Sequence, residues 1–184
     1  MIEVLDPTRE LAGSDPIYAP RPKSLQGKRI GLIDNSKFNS DNLLKRIGDI
    51  LIKEHGAASY KVYTKRYSSI PANDEIIRDI KANCDAMVAG IGDCGSCSSG
   101  TVLDGILLEM QNIPSASIIT HLFENTGRAM AKQWSNPKYR FLIMQHPIAN
   151  LPDDLLDQRA RAIVPEVVDV LLSDPKNYNG RGAQ

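Results

Sequence analysis

Short apolar runs alternate with segments of helical period along most of the chain. RIGLID (29–34) is apolar, short and bounded by Gly27 and polar residues, which predicts a buried strand. From Asp41 onward Leu43, Leu44, Ile47, Ile50 and Leu51 gather on one helical face, and Gly56 supplies a stop. SYKVYTKR is a weaker strand candidate, rich in aromatic and β-branched residues, and PANDEIIRDIKAN opens with Pro, Asn and Asp before a helical run. CDAMVAG (84–90) predicts a third strand. The glycine-rich loop IGDCGSCSSG follows it, and then a helix with the stripe Val102, Leu103, Ile106, Leu107 and Met110. ASIIT (116–120) and FLIMQ (141–145) read as two more strands, separated by a helix from about Glu124 to Trp134. A last helix runs from about Pro152 to Leu172, with Pro165 kinking or restarting it.

Five strands alternating with five helices imply an open, mostly parallel sheet covered on both faces, because parallel neighbours need crossover connections. The expected fold is α/β, a flavodoxin-like three-layer sandwich with strand order 2-1-3-4-5 and its ligand crevice at the carboxyl ends of strands one and three. Residues 29–172 form this single domain. Residues 1–28, with Pro7, Pro16, Pro20 and Pro22, read as an extended arm that wraps the domain or a neighbour, and 173–184 as a fraying tail.

Composition narrows the function. Across 184 residues, 22 Lys and Arg balance 22 Asp and Glu, so nucleic acid is a poor partner; 42% hydrophobic and 24% charged residues suit one soluble core. No apolar run nears the roughly 18 residues of a membrane span. The opening MIEVLDPTRE lacks the basic-then-apolar pattern of a signal peptide, so a cytoplasmic protein with no membrane partner is expected. Three cysteines are too few, and odd in number, for a disulfide framework, yet two stand three positions apart.

The capable side chains converge on the rim at the carboxyl ends of the strands. Asp34, Asn35, Ser36 and Lys37 follow strand one; Gly92 to Ser99 follow strand three; Thr120 and His121 follow strand four; Gln145, His146 and Pro147 follow strand five. Cys94-Gly95-Ser96-Cys97 is the sharpest feature. A thiol at a helix N-terminus meets unpaired N–H groups and the positive dipole end, which lowers its pKa below about 8.5. Cys94 would attack and Cys97, one turn along, would resolve. A tight Gly/Ser turn or half a metal site remain alternatives, but a zinc site would lack its second close pair, so no metal is assigned.

Gly95, Ser96, Ser98, Ser99 and Thr101 would face an anion such as a carboxylate or phosphate, or Ser98 or Ser99 would cap the helix. Asn35, Ser36 and Lys37 would bind a substrate carboxylate, with Lys37 as counter-charge. His146 or His121 would serve as proton donor or base, each having the alternative of a packed histidine. Asp93 beside Cys94 would raise the thiol pKa, so its use would be as proton donor or hydrogen-bond acceptor. Cys84 reads as inert core. His55, at a helix end, reads as a partner of the last carbonyls. No cofactor fingerprint is visible, and Trp134 and Tyr139 lie away from the expected crevice, so flavin is not assigned.

GIGDCGSCSSGTVLDG, with NSKFNSDNLL upstream and QHPIANLP downstream, resembles the UGSC-motif family of selenoprotein-like proteins over residues 25–172, in its cysteine form. The resemblance implies that position 94, selenocysteine in some relatives, carries a nucleophilic, redox-capable atom. The arrangement is also similar to the selenocysteine-bearing subunits of glycine and proline reductases. This sequence has no pyruvoyl-forming segment, so another protein or the substrate itself would supply substrate activation.

These readings converge on a thiol-dependent oxidoreductase for a small anionic metabolite, with an external thiol reductant. The alternatives are a lyase, hydrolase or transferase using the same nucleophile, and a subunit whose arm docks on a partner chain. A homodimer or hetero-complex fits the arm.

Overall fold

A computed structural model describes residues 16–175; the expectations for 1–15 and 176–184 lie outside the described residues. The elements are β1 Arg29–Asp34, α1 Ser40–His55, β2 Ser59–Thr64, α2 Asp74–Asn83, β3 Ala86–Gly92, α3 Gly95–Met110, β4 Ser115–Thr120, a 3-10 turn His121–Phe123, α4 Glu124–Gln133, β5 Leu142–Met144 and α5 Asp153–Leu172. The five strands pair in the order β2-β1-β3-β4-β5, all parallel, so the expected flavodoxin-like sandwich is the fold.

The three layers follow from strand alternation. Along β1, β3 and β4, Ile30, Leu32, Ala86, Val88, Ala116 and Ile118 point to the face covered by α1 and α5, where they meet Leu43, Leu44, Ile47, Val164 and Val167. The residues between them point the other way. Ile33, Met87 and Ala89 pack with Ile80 and Leu108, while Ile119 packs with Val102, Ile106, Tyr139 and Phe141. Burial on both faces explains why the central strands read as continuous apolar runs. Each fully buried Leu or Ile contributes about 1.5–3 kcal/mol.

Two expectations need correction. IGDCGSCSSG is not a loop: β3 continues through Ile91 to Gly92, which pairs with Ile119 of β4, and α3 starts at Gly95. Pairing with β4 extends the strand, and a thiol cap starts the helix early. α5 does not restart at Pro165 but runs as one helix through it. Val164 and Val167, both buried against the sheet, hold the turn that the missing N–H weakens.

Residues 16–28 wrap their own domain. Ala19 N–H and the Arg21 guanidinium both donate to Glu109 Oε2 at 2.8 Å, and Tyr18 Oη donates to Asn136 Oδ1 at 2.7 Å. Glu109 is fully buried near the end of α3, with its other oxygen accepting from Ser115 N–H at 2.8 Å.

Candidate active site at the start of α3

The site grows from the junction between β3 and α3. Gly92 brings the strand end against the helix: a Cβ there would lie 2.7 Å from Ser98 Cα and 2.8 Å from Ile119 Cγ2, so only glycine fits without movement. Two residues later Cys94 is the N-cap of α3, in extended backbone, and its Sγ accepts from Cys97 N–H at 3.4 Å. Neither Ser98 nor Ser99 takes the cap. The Cys94 and Cys97 sulfurs stand at bonding distance as a disulfide, with Cα atoms 5.2 Å apart. Cys94 is half-buried and Cys97 is fully buried.

Cys97 is enclosed by the segment after β2. Its Sγ lies 3.3 Å from Ser68 Oγ. That segment is held by a buried ion pair in which Lys65 Nζ donates to Asp104 Oδ2 at 2.6 Å, while Asp104 Oδ1 accepts from Ala72 N–H at 2.7 Å. Burial pushes the Asp104 carboxyl up and the Lys65 ammonium opposes it. Gly100 completes the fit, since a Cβ there would sit 2.8 Å from the Ser68 carbonyl oxygen.

On the other side stand two histidines. Asp93 Oδ1 lies 2.6 Å from His146 Nδ1, an ion-pair distance without hydrogen-bond geometry, and Thr120 Oγ1 lies 3.3 Å from the same nitrogen. Phe123 meets the His146 ring edge-on, with centroids 6.0 Å apart. His146 N–H donates to His121 Nδ1 at 3.1 Å. That bond makes His121 Nδ1 an acceptor, which puts the proton of the neutral ring on Nε2. His121 belongs to the 3-10 turn just past β4.

The remaining expected residues divide by exposure. Gly95, Ser96 and Ser99 line the first turn of α3 at the surface, with Ser96 Oγ 3.8 Å from Cys94 Sγ. Ser36 is exposed and its hydroxyl donates to the Lys65 carbonyl. Lys37 is half-buried, and no carboxylate pairs with it among the described residues. Asn35 and Ser98 are enclosed behind the rim. Asn35 Nδ2 donates to Thr101 Oγ1, Thr101 Oγ1 donates to Cys97 carbonyl oxygen at 2.8 Å, and Asn35 Oδ1 and Ser98 Oγ have no partner.

Sequence reasoning missed Ser68, Lys65, Asp104 and Asn39. A single carboxylate inside TVLDGILL was the available signal for a buried pair, because a charge on an apolar helix face needs a partner. Asn39 stands at the N-cap position of α1 but makes no side-chain cap bond there; it donates from Nδ2 to the carbonyls of Ile148, Ala149 and Leu151 at 3.0–3.1 Å, tying the segment after β1 to the segment after β5.

Among the described residues, no group of three or more His, Cys, Asp or Glu could hold a metal ion, and no helix is long and apolar enough to cross a membrane. No curated protein matches the chain. The model of the UGSC family matches residues 3–173. A match over nearly the whole length, with the cysteine pair at its centre, settles the kinship: this chain belongs to the UGSC family.

Proposed function

We propose that the chain is a thiol-dependent oxidoreductase that reduces a small anionic metabolite through Cys94 and Cys97. The observation that carries this reading is the pair itself, with an accessible thiol on the N-cap of α3 and an enclosed one a turn behind it at bonding distance. The helix start favours the Cys94 thiolate. In the proposed step the thiolate attacks group X of a substrate R–X. The R–X bond breaks, and R takes its bonding electrons and a proton from His121 or His146. Cys97 thiolate then attacks Cys94 Sγ and expels X with its electron pair, closing the disulfide. The substrate gains two electrons and the dithiol loses two, which an external thiol restores. Half-buried Gly95, exposed Ser96 and half-buried Lys37 would offer N–H groups and a cation to a substrate anion.

The test is alkylation rate against pH for each cysteine by mass spectrometry, on reduced and mildly oxidised protein, with Cys94→Ser as control. The expected result is a Cys94 thiolate titrating below about 8.5, together with a Cys94–Cys97 bridge after oxidation. A slow Cys94 without a bridge overturns the reading.

The Asp93–His146 contact favours a second reading, a non-redox cysteine nucleophile with His146 as base. That enzyme would show an acidic Cys94 and turnover that needs no reductant.

A further inference from the structure

The rim around Cys94 carries large apolar side chains that the fold leaves in solvent. Phe38 follows β1 and is 76% exposed; Tyr67 and Ile70 follow β2 and are each 55% exposed; Leu122 follows β4 and is 59% exposed. In the strand order β2-β1-β3-β4, these positions flank the end of β3 on both sides, and Ser68, between Tyr67 and Ile70, touches Cys97. Apolar groups clustered on one edge mark a surface that another molecule covers. The same edge carries Lys37 and Arg66, neither paired with a carboxylate among the described residues; Arg66 instead lies over the Tyr67 ring at 5.3 Å.

Resting on the oxidoreductase reading, we propose that this collar is the docking face for a protein dithiol that reopens the Cys94–Cys97 bridge. The partner's apolar surface seats on Phe38, Tyr67, Ile70 and Leu122, and carboxylates around its thiols meet Lys37 and Arg66. The two cations suit an acidic partner, and apolar positions beyond the ends of β1, β2 and β4 argue for a protein in place of a small thiol, which could not span them.

The burial of Cys97 sets the order of events. The partner's thiolate attacks the accessible Cys94 Sγ, the Cys94–Cys97 bond breaks, and Cys97 leaves as a thiolate. Ser68 Oγ, 3.3 Å away, can donate to it before solvent supplies a proton. The partner's second thiolate then attacks the partner's own first sulfur and releases Cys94 as a thiolate. Two electrons pass from the partner dithiol to the bridge, and the partner becomes a disulfide.

The experiment starts from the oxidised full chain and follows bridge opening by alkylation mass spectrometry. Three reductants are used in parallel: purified thioredoxin kept reduced by its reductase and NADPH, dithiothreitol, and glutathione. The expected result is saturable reduction by thioredoxin, faster than by either small thiol at equal thiol concentration and slowed by added salt. The Phe38→Ser/Leu122→Ser variant should lower the thioredoxin rate constant roughly tenfold and leave the dithiothreitol rate unchanged. Arg66→Glu should slow thioredoxin alone.

Thioredoxin no faster than dithiothreitol, or equal losses with both reductants in the collar variants, overturns the docking face while the redox site stands. A dimer by light scattering that Phe38→Ser disperses assigns the collar to a second copy and also overturns it. If dithiothreitol opens no bridge in the oxidised protein, the oxidoreductase reading itself fails.

Discussion

Strand β3 has a cysteine just beyond each end, and the two are opposites. Cys84 lies two residues before Ala86, at the C-terminal end of α2, with its N–H donating to the Ile80 carbonyl at 2.8 Å. Its thiol is buried, 3.4 Å from Tyr63 Oη, and burial pushes its pKa up. Cys94 lies two residues after Gly92, at the N-terminal end of α3, partly open to solvent. One thiol faces the negative end of a helix dipole and the other the positive end. The residue type is the same, but burial raises one thiol, while the helix start beside the other would favour its thiolate. In a parallel sheet every crossover helix starts at the carboxyl edge and ends at the amino edge, so anion-stabilising termini collect on one side only.

The hardest test of this contrast leaves both thiols in place. Lys65→Ala strands the buried Asp104 carboxylate, and should cost about 3–5 kcal/mol in urea unfolding. The Lys65→Met/Asp104→Leu pair should recover most of that loss. In the double variant Cys97 alkylation should rise, because its cover is loosened, while Cys84 stays inert; a parallel rise at Cys84 would mean general loosening.

The contrast itself predicts that iodoacetamide modifies Cys94 at least about 100-fold faster than Cys84 in the reduced, folded protein. Comparable rates would break it. A smaller effect belongs to Ser68→Ala, which removes the hydroxyl beside Cys97 Sγ. Bridge reduction in a dithiothreitol redox buffer should become less favourable by about 1 kcal/mol, roughly fivefold. Ser68→Thr should restore it and Cys84 should not respond.

The smallest effect lies at the amino edge. Asp85 accepts from Arg29 N–H at 2.8 Å and from the Arg29 guanidinium, which holds the carboxyl below its ordinary 3.8. A lowered acid pKa stabilises the fold above that ordinary value, and the contribution is lost as pH falls through the lowered one. Asp85→Asn should therefore slightly lower neutral stability and flatten the acid limb of the unfolding curve, without changing Cys94 reactivity.

The periodic parts of the fold were legible from residues alone. The stripe Leu43, Leu44, Ile47, Ile50 and Leu51 and the run RIGLID specify their elements because burial follows local period. The start of α3 was legible only in part: Cys94 read as a thiol at a helix N-terminus, as it is, but the run to Gly100 read as loop because Gly, Ser and Cys are poor helix formers. The site was readable as a set of rim positions because topology alone delivers them there. Its supports were not: Lys65 and Asp104 meet across 39 residues, and His146 reaches Asp93 from another strand end. Such pairings depend on how individual side chains from distant segments meet within the known sheet order, which spacing along the chain does not encode.

Asn39 shapes how this rim can change. Its amide shares two hydrogens among three carbonyls of residues 148–151, so the segments after β1 and β5 are stitched together at their bases. An insertion or a grafted loop in 35–39 would drag the 145–152 segment, and His146 with it. The segment at 65–72 hangs from its own ion pair and meets Ser36 and Cys97, but among the described residues no side-chain hydrogen bond ties it to 145–152. Remodelling for a new ligand is therefore easiest on the β2 side, where a loop can be exchanged without dislodging the histidines.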